Sequence, residues 1–189
     1  ERGFNVIIHV NTSVDAATAL VNHLNTLRPN SAAMLQADLT SSEATKQLGE
    51  SIVPIFTRLD VLVNNASSFY PTPLGEVDAG QWNDLIDSNL RAGFFLCQQL
   101  APELSARKGA IINLVDTHAD RPLAGFPAYS IAKAGVKAMT RSLAIELAPH
   151  VRVNGVSPGA ILWPPSLENN NDPDVVLKRQ EMLKRIPLS

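Results

Sequence analysis

The sequence predicts a protein of the α/β class, built on a doubly wound parallel sheet with helices on both faces. Segments with strand character alternate with helical segments along the chain, which is typical of βαβ units. The strand segments are continuous apolar runs, as expected of strands that helices bury on both faces. Hydrophobic residues make up 45% of the 189 residues, enough for one domain with a substantial core. We therefore expect a single domain over residues 1–189.

Five short apolar segments are the predicted strands. They are, in chain order, the run that begins Val6-Ile7-Ile8, Ala33–Gln36, Val61–Val63, Ala110–Val115 and Val151–Val156. Residues of this type and run length favour strands that are buried in a parallel sheet.

Helices are expected between these strands. Ser13 can cap a helix from about Val14 to Leu27. Ser41 or Ser42 can cap the next helix, in which Pro54 implies a kink or an early end. The later helices are expected over roughly Ala79–Leu104 and from the segment around Tyr129 to about Leu147.

Composition excludes several classes of protein. The formal net charge of -2 gives no reason to expect nucleic acid or an anionic membrane as a partner. No apolar run reaches the length of a membrane span, and no signal-peptide pattern is visible. The single cysteine, Cys97, excludes an internal disulfide framework and is expected in the core. We expect a protein of the reducing cytoplasm.

Polar and turn residues follow the predicted strands. They are Asp38, Asn64–Ser67, Asp116, Pro158 and Gly159. In open sheets of this type, ligands bind beyond the carboxyl ends of the strands. Turn formation accounts for any one of these residues, but it accounts poorly for the occurrence of all of these residue types together. We therefore expect a ligand site at this end of the sheet.

Tyr129 and Lys133 are four residues apart, a spacing that places both on one face of a helix. A cation beside a phenol favours the phenolate, which predicts a tyrosine pKa below its usual value of about 10. Such a tyrosine can give a proton to a substrate while a hydride arrives from elsewhere. The spacing alone fits a surface pair on an amphipathic helix equally well.

Four segments together resemble the short-chain dehydrogenase/reductase family. They are Asp38-Leu39, Asn64-Asn65-Ala66, Tyr129–Lys133 and Asn154–Gly159. Their order and separation match the family over essentially the whole chain. The resemblance implies a Rossmann-like fold and an oxidoreductase that uses a nicotinamide dinucleotide.

The two ends differ from the family pattern. Family members begin with a strand and a glycine-rich turn that holds the cofactor pyrophosphate. This sequence begins at Glu1-Arg2-Gly3, which resembles the end of the first helix, and it stops at Arg185–Ser189, before the family's last strand. We therefore expect a domain truncated at both ends, with an open edge or a gap in its sheet.

A narrower resemblance points to pteridine reductases. The run Asn64–Pro73 is similar to theirs, and Asp116 stands where most of the wider family has serine. A carboxylate suits the amino and N–H donors on the edge of a pterin. Phe69 would offer an aromatic face to the flat ring.

The resemblance implies roles for individual residues. The catalytic residues would be Tyr129 as proton donor, Lys133, Asn89, which orders the lysine and a relay water, and Asp116, which binds the pterin edge or supplies a second proton. The substrate pocket would be formed by Ser67, Phe69, Asp116, Leu123, Phe126 and Tyr129. The cofactor would contact His9, Asn11, Thr12, Ser13, Asp38, Leu39, Asn65, Ala66, Ser67, Tyr129, Lys133, Pro158 and Gly159. No metal is expected.

The choice of cofactor depends on the end of the first predicted strand. NAD enzymes usually have an acidic residue there, which binds the ribose 2′-hydroxyl. The run His9–Ser13 has no acid until Asp15. Asn11, Thr12 and Ser13 can donate hydrogen bonds to a 2′-phosphate at a helix N-terminus. NADP(H) is therefore expected, although no arginine lies in this run.

The expected activity is NADPH-dependent reduction of a dihydropterin or a dihydrofolate-type substrate. Two alternatives stay open: a carbonyl reductase of the same family, acting on a 3-oxoacyl thioester, and a non-catalytic member that binds NADP(H). The resemblance also implies a homotetramer, or at least a dimer, with an interface formed by the long helices Ala79–Leu104 and Tyr129–Leu147.

Overall fold

The computed structural model describes residues 3–159 and 172–184. The chain divides into two compact units, Glu1–Ser157 and Pro158–Ser189. The expectation of one domain over residues 1–189 stays a prediction. The terminal residues Glu1, Arg2 and Arg185–Ser189, on which the expected truncation bears, lie outside the described part of the chain.

Strands and helices alternate through the first unit. The strands are β1 (Val6–Val10), β2 (Ala32–Gln36), β3 (Val61–Asn64), β4 (Ala110–Leu114) and β5 (Arg152–Val156). The helices of this unit are α1 (Val14–Leu27), α2 (Ser42–Phe56), α3 (Ala79–Ile86), α4 (Ala92–Ala106) and α5 (Pro127–Glu146). The second unit contains α6 (Pro173–Lys184). The predicted alternation is confirmed, and the strand boundaries agree closely with the predicted ones.

All strand pairs in the described residues are parallel, and the strands form two sheets, which agrees with the gap that was expected in the parallel sheet. One sheet has the order β1-β2, and the other has the order β3-β4-β5. Ile111 of β4 lies opposite both Leu62 of β3 and Val153 of β5. The fold is thus a Rossmann-like α/β fold, with helices packed on parallel sheets.

A cavity of about 1040 Å³ separates the two sheets. Val6, Ile7 and His9 of β1 line one side and residues of β3 line the other, while Leu48 and Leu96 contribute apolar side chains. In the doubly wound strand order, a further strand lies between these two. The cavity therefore lies at the position that a strand occupies in that order.

The long helix predicted over roughly Ala79–Leu104 is confirmed, because the chain is helical without a break from Ala79 to Ala106. A π-helical turn at Asp87–Arg91 separates α3 from α4, and the Ala92 N–H bonds to the Asp87 carbonyl. The side chain of Asn89 donates to the Leu85 carbonyl at 2.9 Å inside this turn. It supplies a donor to a backbone carbonyl at the point where the regular α-helical hydrogen bonds are replaced by π-helical ones. Such turns are frequent at functional sites.

Other details of the helices agree with the sequence. Ser41 is the N-cap of α2, and its hydroxyl accepts from the Ala44 N–H at 3.1 Å. Pro54 lies in the last turn of α2. No helix in the described residues is long and apolar enough to cross a membrane, and the cellular compartment stays a prediction.

One hydrophobic core joins the two sheets. Leu39, Ile52, Leu100, Ile111 and Val136 belong to a single cluster of buried side chains, against which Ile7 and Leu35 pack. Cys97 is fully buried in this cluster, as predicted. Burial raises the pKa of its thiol to about 11, so the sulfur remains protonated at neutral pH.

A polar chain runs through this core and connects two strands to α5. The Asn64 Nδ2 donates to the Asn113 Oδ1 at 2.9 Å, and the Asn113 Nδ2 donates to the Thr140 Oγ1 at 2.9 Å. The Thr140 hydroxyl then donates to the Val136 carbonyl at 2.7 Å. Since Asn113 is fully buried, these bonds hold β3, β4 and α5 at one relative position.

Candidate active site

Helix α5 presents Tyr129 and Lys133 to the carboxyl end of β4. Both residues are buried, with exposed fractions of 5% and 3%. The Lys133 Nζ lies 5.7 Å from the centroid of the Tyr129 ring, which confirms that they share one helix face. The Nζ donates to the Leu114 carbonyl at 3.0 Å, so the last residue of β4 holds the lysine.

Asp116 follows β4 and reaches the phenol directly. The Tyr129 hydroxyl donates to the Asp116 Oδ2 at 2.6 Å. The other oxygen, Oδ1, accepts from the His118 N–H at 2.9 Å and from the Thr117 hydroxyl at 3.3 Å. Asp116 therefore caps a short 3₁₀ turn (Thr117–Ala119) and also contacts the candidate proton donor.

Charge and burial at this site act against the expected low pKa of Tyr129. Burial raises the pKa of the phenol, and the hydrogen bond and negative charge of Asp116 raise it further, while Ser67 lowers it. The expected lowering by Lys133 is thus not what this arrangement produces. The reason is geometric, because the carboxylate touches the phenol oxygen whereas the lysine amine is bonded to Leu114.

The pKa values of Asp116 and Lys133 are both lowered, but for different reasons. Burial opposes the charged form of Asp116, but hydrogen bonds from His118, Tyr129 and Thr117 outweigh it and lower the carboxyl pKa. Burial lowers the pKa of Lys133, and the charge of Asp116 opposes that change. Asp116 is consequently ionised at neutral pH and Tyr129 is a neutral phenol.

Asn89 and Ser67 form a second polar pair in the site. Asn89 is buried, with 7% of its surface exposed. Its Nδ2 donates to the carbonyls of Leu85 and Ser68 at 2.9 and 3.0 Å. Its Oδ1 accepts from the Ser67 hydroxyl at 2.6 Å. The π-helical turn thus faces the loop that follows β3.

Three aromatic rings, those of Phe69, Phe126 and Tyr129, meet in the site. Phe69 stacks on Phe126 with ring centroids 4.7 Å apart and an interplanar angle of 10°. It also meets Tyr129 edge to face, at 4.8 Å and 75°. The Leu123 N–H, in the loop before α5, donates to the Ser130 Oγ at 3.3 Å. The predicted substrate residues Phe69 and Phe126 are therefore brought together with Tyr129.

Apart from Tyr129 and Lys133 on α5, the predicted cofactor residues in the first unit lie in two groups. Asn65, Ala66 and Ser67 follow β3 and are exposed. The second group, around β1 and β2, comprises His9, Asn11, Thr12, Ser13, Asp38 and Leu39. Of these, Leu39 has its side chain in the core, so only its backbone is available to a ligand. Pro158 and Gly159 belong to the second unit, and their role stays a prediction.

The residues at the start of α1 fit an anionic group. Asn11, Thr12 and Ser13 are exposed, and Ser13 is the N-cap of α1 but makes no side-chain capping bond. Their polar groups can therefore meet a phosphate at the helix N-terminus. Asp15 in the first turn is acidic and opposes this. No cluster of three or more potential metal ligands occurs in the described residues.

Asp38 can accept a hydrogen bond from an amino group of a ligand. Its Oδ1 accepts from the backbone N–H and the hydroxyl of Thr40 at 2.9 and 2.8 Å. The backbone hydrogen bond and then the hydroxyl bond lower the carboxyl pKa. An ionised carboxylate with a second oxygen suits the amino group of an adenine.

With this geometry, the chain belongs to the short chain dehydrogenase family, whose model matches residues 1–174. Pteridine reductase 1 of Leishmania tarentolae is 39% identical over 202 residues, which cover 86% of this chain and 70% of that protein. The 3-oxoacyl-[acyl-carrier-protein] reductase FabG of Staphylococcus epidermidis RP62A is 34% identical over 190 residues, covering 100% of this chain and 75% of that protein. FabG of Staphylococcus aureus Mu50 is also 34% identical, over 191 residues. The chain is thus of an oxidoreductase family, with reductases among its relatives.

Sequence reasoning missed two parts of the site. It did not anticipate the Asn64–Asn113–Thr140 chain, although a fully buried asparagine in a strand signals a partner. It also did not anticipate the bond between Ser67 and Asn89. These residues are 22 positions apart, and no periodic pattern connects a loop to a helix at that distance.

Proposed function

We propose that the protein catalyses NADPH-dependent reduction of a dihydropterin or a dihydrofolate-type substrate. The observation that carries this proposal is the contact between the Tyr129 hydroxyl and the Asp116 Oδ2 at 2.6 Å, with the Phe69 ring against Tyr129. A proton donor, a carboxylate and an aromatic face are the three groups that a pterin ring needs at one place.

Tyr129 provides the proton. Its pKa is raised by burial and by Asp116, so the phenol retains its proton at neutral pH until a substrate nitrogen accepts it. A bound NADPH supplies the hydride. Lys133, held by the Leu114 carbonyl, keeps a positive charge near the ring, which favours the transfer as negative charge develops on the phenol oxygen.

Asp116 acts as a hydrogen-bond acceptor in this proposal. Its lowered pKa keeps it ionised at neutral pH, so it can bind an amino or N–H group on the pterin edge. The sequence also suggested that Asp116 supplies a proton in a second reduction step. An ionised Asp116 would first have to take up a proton before it could do so. Phe69, with 55% of its surface exposed, offers its ring to the substrate after separating from Phe126.

NADP(H) is preferred over NAD(H) in this proposal. The exposed side chains of Asn11, Thr12 and Ser13 at the N-terminus of α1 support it, because they donate hydrogen bonds and carry no negative charge of their own. Asp38 binds the adenine, and Asn65 and Ala66 run past the adenine ribose.

The second candidate is reduction of a 3-oxoacyl thioester. The relatives named FabG, which are 34% identical and cover the whole chain, favour it. The same Tyr129 and Lys133 would serve that reaction. Asp116 opposes it, since an ionised carboxylate beside the phenol does not donate a hydrogen bond to a carbonyl oxygen.

The experiment that separates the two candidates is a matched set of NADPH oxidation assays. Dihydrobiopterin, dihydrofolate and an acetoacetyl thioester are each mixed with the full-length protein and NADPH, and NADH replaces NADPH in a parallel set. Oxidation with a pterin or a folate and with NADPH is the expected result. Oxidation with the thioester alone would establish the second candidate, and no oxidation in any assay would favour a non-catalytic NADP(H)-binding protein.

An interface between copies of the chain is also proposed. Phe94 and Phe95 of α4 expose 40% and 47% of their surface, whereas the adjacent Leu96 is buried in the core. Two exposed aromatic side chains on one helix suit contact with a second copy. Light scattering of the wild type and of Phe95→Glu tests this, and an unchanged mass would exclude the interface.

A further inference from the structure

Arg91, the last residue of the π-helical turn, connects that turn to the segment that follows β2. Its Nε donates to the Asp87 Oδ1 at 2.6 Å within the turn. Its Nη2 donates to the Thr40 carbonyl at 2.7 Å, and its Nη1 donates to the Ser42 hydroxyl. Thr40 lies 51 positions away in the chain. One side chain therefore joins two segments that are far apart in the sequence.

Thr40 in turn holds the carboxylate of Asp38. The Thr40 N–H and hydroxyl both donate to the Asp38 Oδ1, at 2.9 and 2.8 Å. Because Arg91 binds the carbonyl of Thr40, the position of the Asp38 carboxylate depends on where Arg91 holds Thr40. Leu39, between them, lines the same small cavity as Asn89 of the π-helical turn. The segment after β2 and the turn are thus packed against each other.

Neither helix stability nor charge explains this position of Arg91. Ser42 is the first residue of α2, and the helix dipole makes a cation unfavourable at a helix N-terminus. Asp87 pairs with the guanidinium, so little net charge is left to attract a cofactor phosphate. The remaining property is shape, because a guanidinium has five donors in one plane and can bind a carboxylate, a carbonyl and a hydroxyl together.

We propose that Arg91 is a positioning residue for the cofactor, which holds Thr40, and through it the Asp38 carboxylate, against the π-helical turn. This inference rests on the proposed function, in which Asp38 binds the adenine and Asn89 of the turn is one of the catalytic residues. The adenosine half of the cofactor is then anchored to a turn that also belongs to the catalytic site. Loss of Arg91 should weaken binding of the adenosine half and leave binding of the nicotinamide half unchanged.

The first test measures the two halves of the cofactor separately on the full-length protein. Adenosine 2′,5′-bisphosphate represents one half and reduced nicotinamide mononucleotide the other. Arg91→Met is expected to raise the dissociation constants for the bisphosphate and for NADPH by about tenfold, since hydrogen bonds from a charged group are lost. The dissociation constant for the mononucleotide should stay within about twofold of the wild type. Isothermal titration calorimetry measures all three constants.

Two further variants separate geometry from charge and from the general effect of losing an arginine. Arg91→Lys keeps the positive charge but not the planar set of donors, so it should bind the bisphosphate as weakly as Arg91→Met. Arg107→Met is the matched control, because the Arg107 Nε makes the same type of pair, with the Glu103 Oε1 at 2.9 Å and four residues apart. It should bind all three ligands as the wild type does.

The second test combines Arg91→Met with Asp38→Ala. Asp38→Ala alone should weaken binding of the bisphosphate, since it removes the acceptor for the adenine amino group. Because Arg91 acts through Asp38 in this proposal, adding Arg91→Met should raise the dissociation constant by less than about twofold more. A general loosening of the fold would instead add its full effect in both backgrounds.

Three results would overturn the inference. An unchanged dissociation constant for the bisphosphate in Arg91→Met would show that Arg91 does not position the adenine acceptor. Recovery of binding in Arg91→Lys would make the effect one of charge alone. Equal weakening of both halves, or full additivity with Asp38→Ala, would show a general change in structure. Failure of the proposed function is seen separately, because the wild type would then leave NADPH unoxidised with a dihydropterin, whereas the binding tests need no substrate.

Discussion

The two sheets of the first unit differ in how their polar side chains are held. On the β3-β4-β5 side, Asn113 is fully buried and bonded on both ends of its amide, and Tyr129 and Lys133 are buried and each has a polar partner. On the β1-β2 side, Asn11 and Thr12 are exposed. In the proposed function, catalysis therefore depends on a buried side-chain network with one arrangement, whereas the cofactor preference depends on an exposed loop.

Stability and cofactor preference are therefore sensitive to substitutions at different places. A substitution in the buried network leaves polar groups without partners, which costs free energy of unfolding and displaces the proton donor. A substitution in the exposed loop is expected to change the proposed cofactor preference and to leave the fold intact. The comparison therefore predicts large effects on one side of the cavity and small effects on the other.

Tyr129→Phe is expected to have the largest effect. It removes the proposed proton donor but keeps the ring that packs against Phe69. Turnover of the accepted substrate should fall by about 10²–10⁴, the usual contribution of a general acid. The dissociation constant for NADPH should be nearly unchanged. Steady-state kinetics and a fluorescence titration measure the two quantities, and wild-type turnover would reject the assignment of Tyr129.

Asn113→Ala is expected to reduce stability strongly. It leaves the Asn64 amide and the Thr140 hydroxyl without their partner inside the core. The free energy of unfolding should fall by roughly 2–4 kcal/mol, from unsatisfied polar groups and a small cavity.

Thr12→Ala on the exposed loop is the matched control, and its free energy of unfolding should stay within about 0.5 kcal/mol of the wild type. Urea denaturation of both variants without cofactor measures the difference. Equal losses would remove the distinction between the two sheets.

Asp116→Ser is expected to weaken use of the pterin more than binding of NADPH. The substitution removes an ionised acceptor, so kcat/KM for the dihydropterin should fall by about tenfold or more. Asp120→Ser, four residues further along, removes an exposed carboxylate that pairs with Lys137 and serves as the control. Equal losses in pterin use and NADPH affinity would make Asp116 a structural cap of its 3₁₀ turn.

Thr12→Glu is expected to have the smallest effect of the four. A carboxylate at the N-terminus of α1 repels a 2′-phosphate and can accept from a 2′-hydroxyl. Because this position is exposed and its charge is screened, the ratio of kcat/KM for NADPH to that for NADH should fall by only about fivefold. Thr12→Gln is the neutral control of equal size. A ratio that does not change would place the cofactor phosphate elsewhere.

The helices and strands could be predicted from the sequence, and so could the proximity of Tyr129 and Lys133. Apolar runs without alternation predicted the parallel strands, because strands buried on both faces need them. The spacing of Tyr129 and Lys133 predicted a shared helix face, because residues four apart are neighbours on a helix. These properties are local, so they can be recognised from neighbouring residues alone.

Interactions between segments that are far apart in the chain could not be predicted from the sequence and are seen only in the tertiary structure. It placed Asp116 against the phenol and turned Lys133 to the Leu114 carbonyl, which reverses the expected direction of the Tyr129 pKa. It also widened the long helix at Asp87–Arg91. The reason is physical, because pKa values and hydrogen bonds depend on distances of a few ångströms between residues that are far apart in the chain.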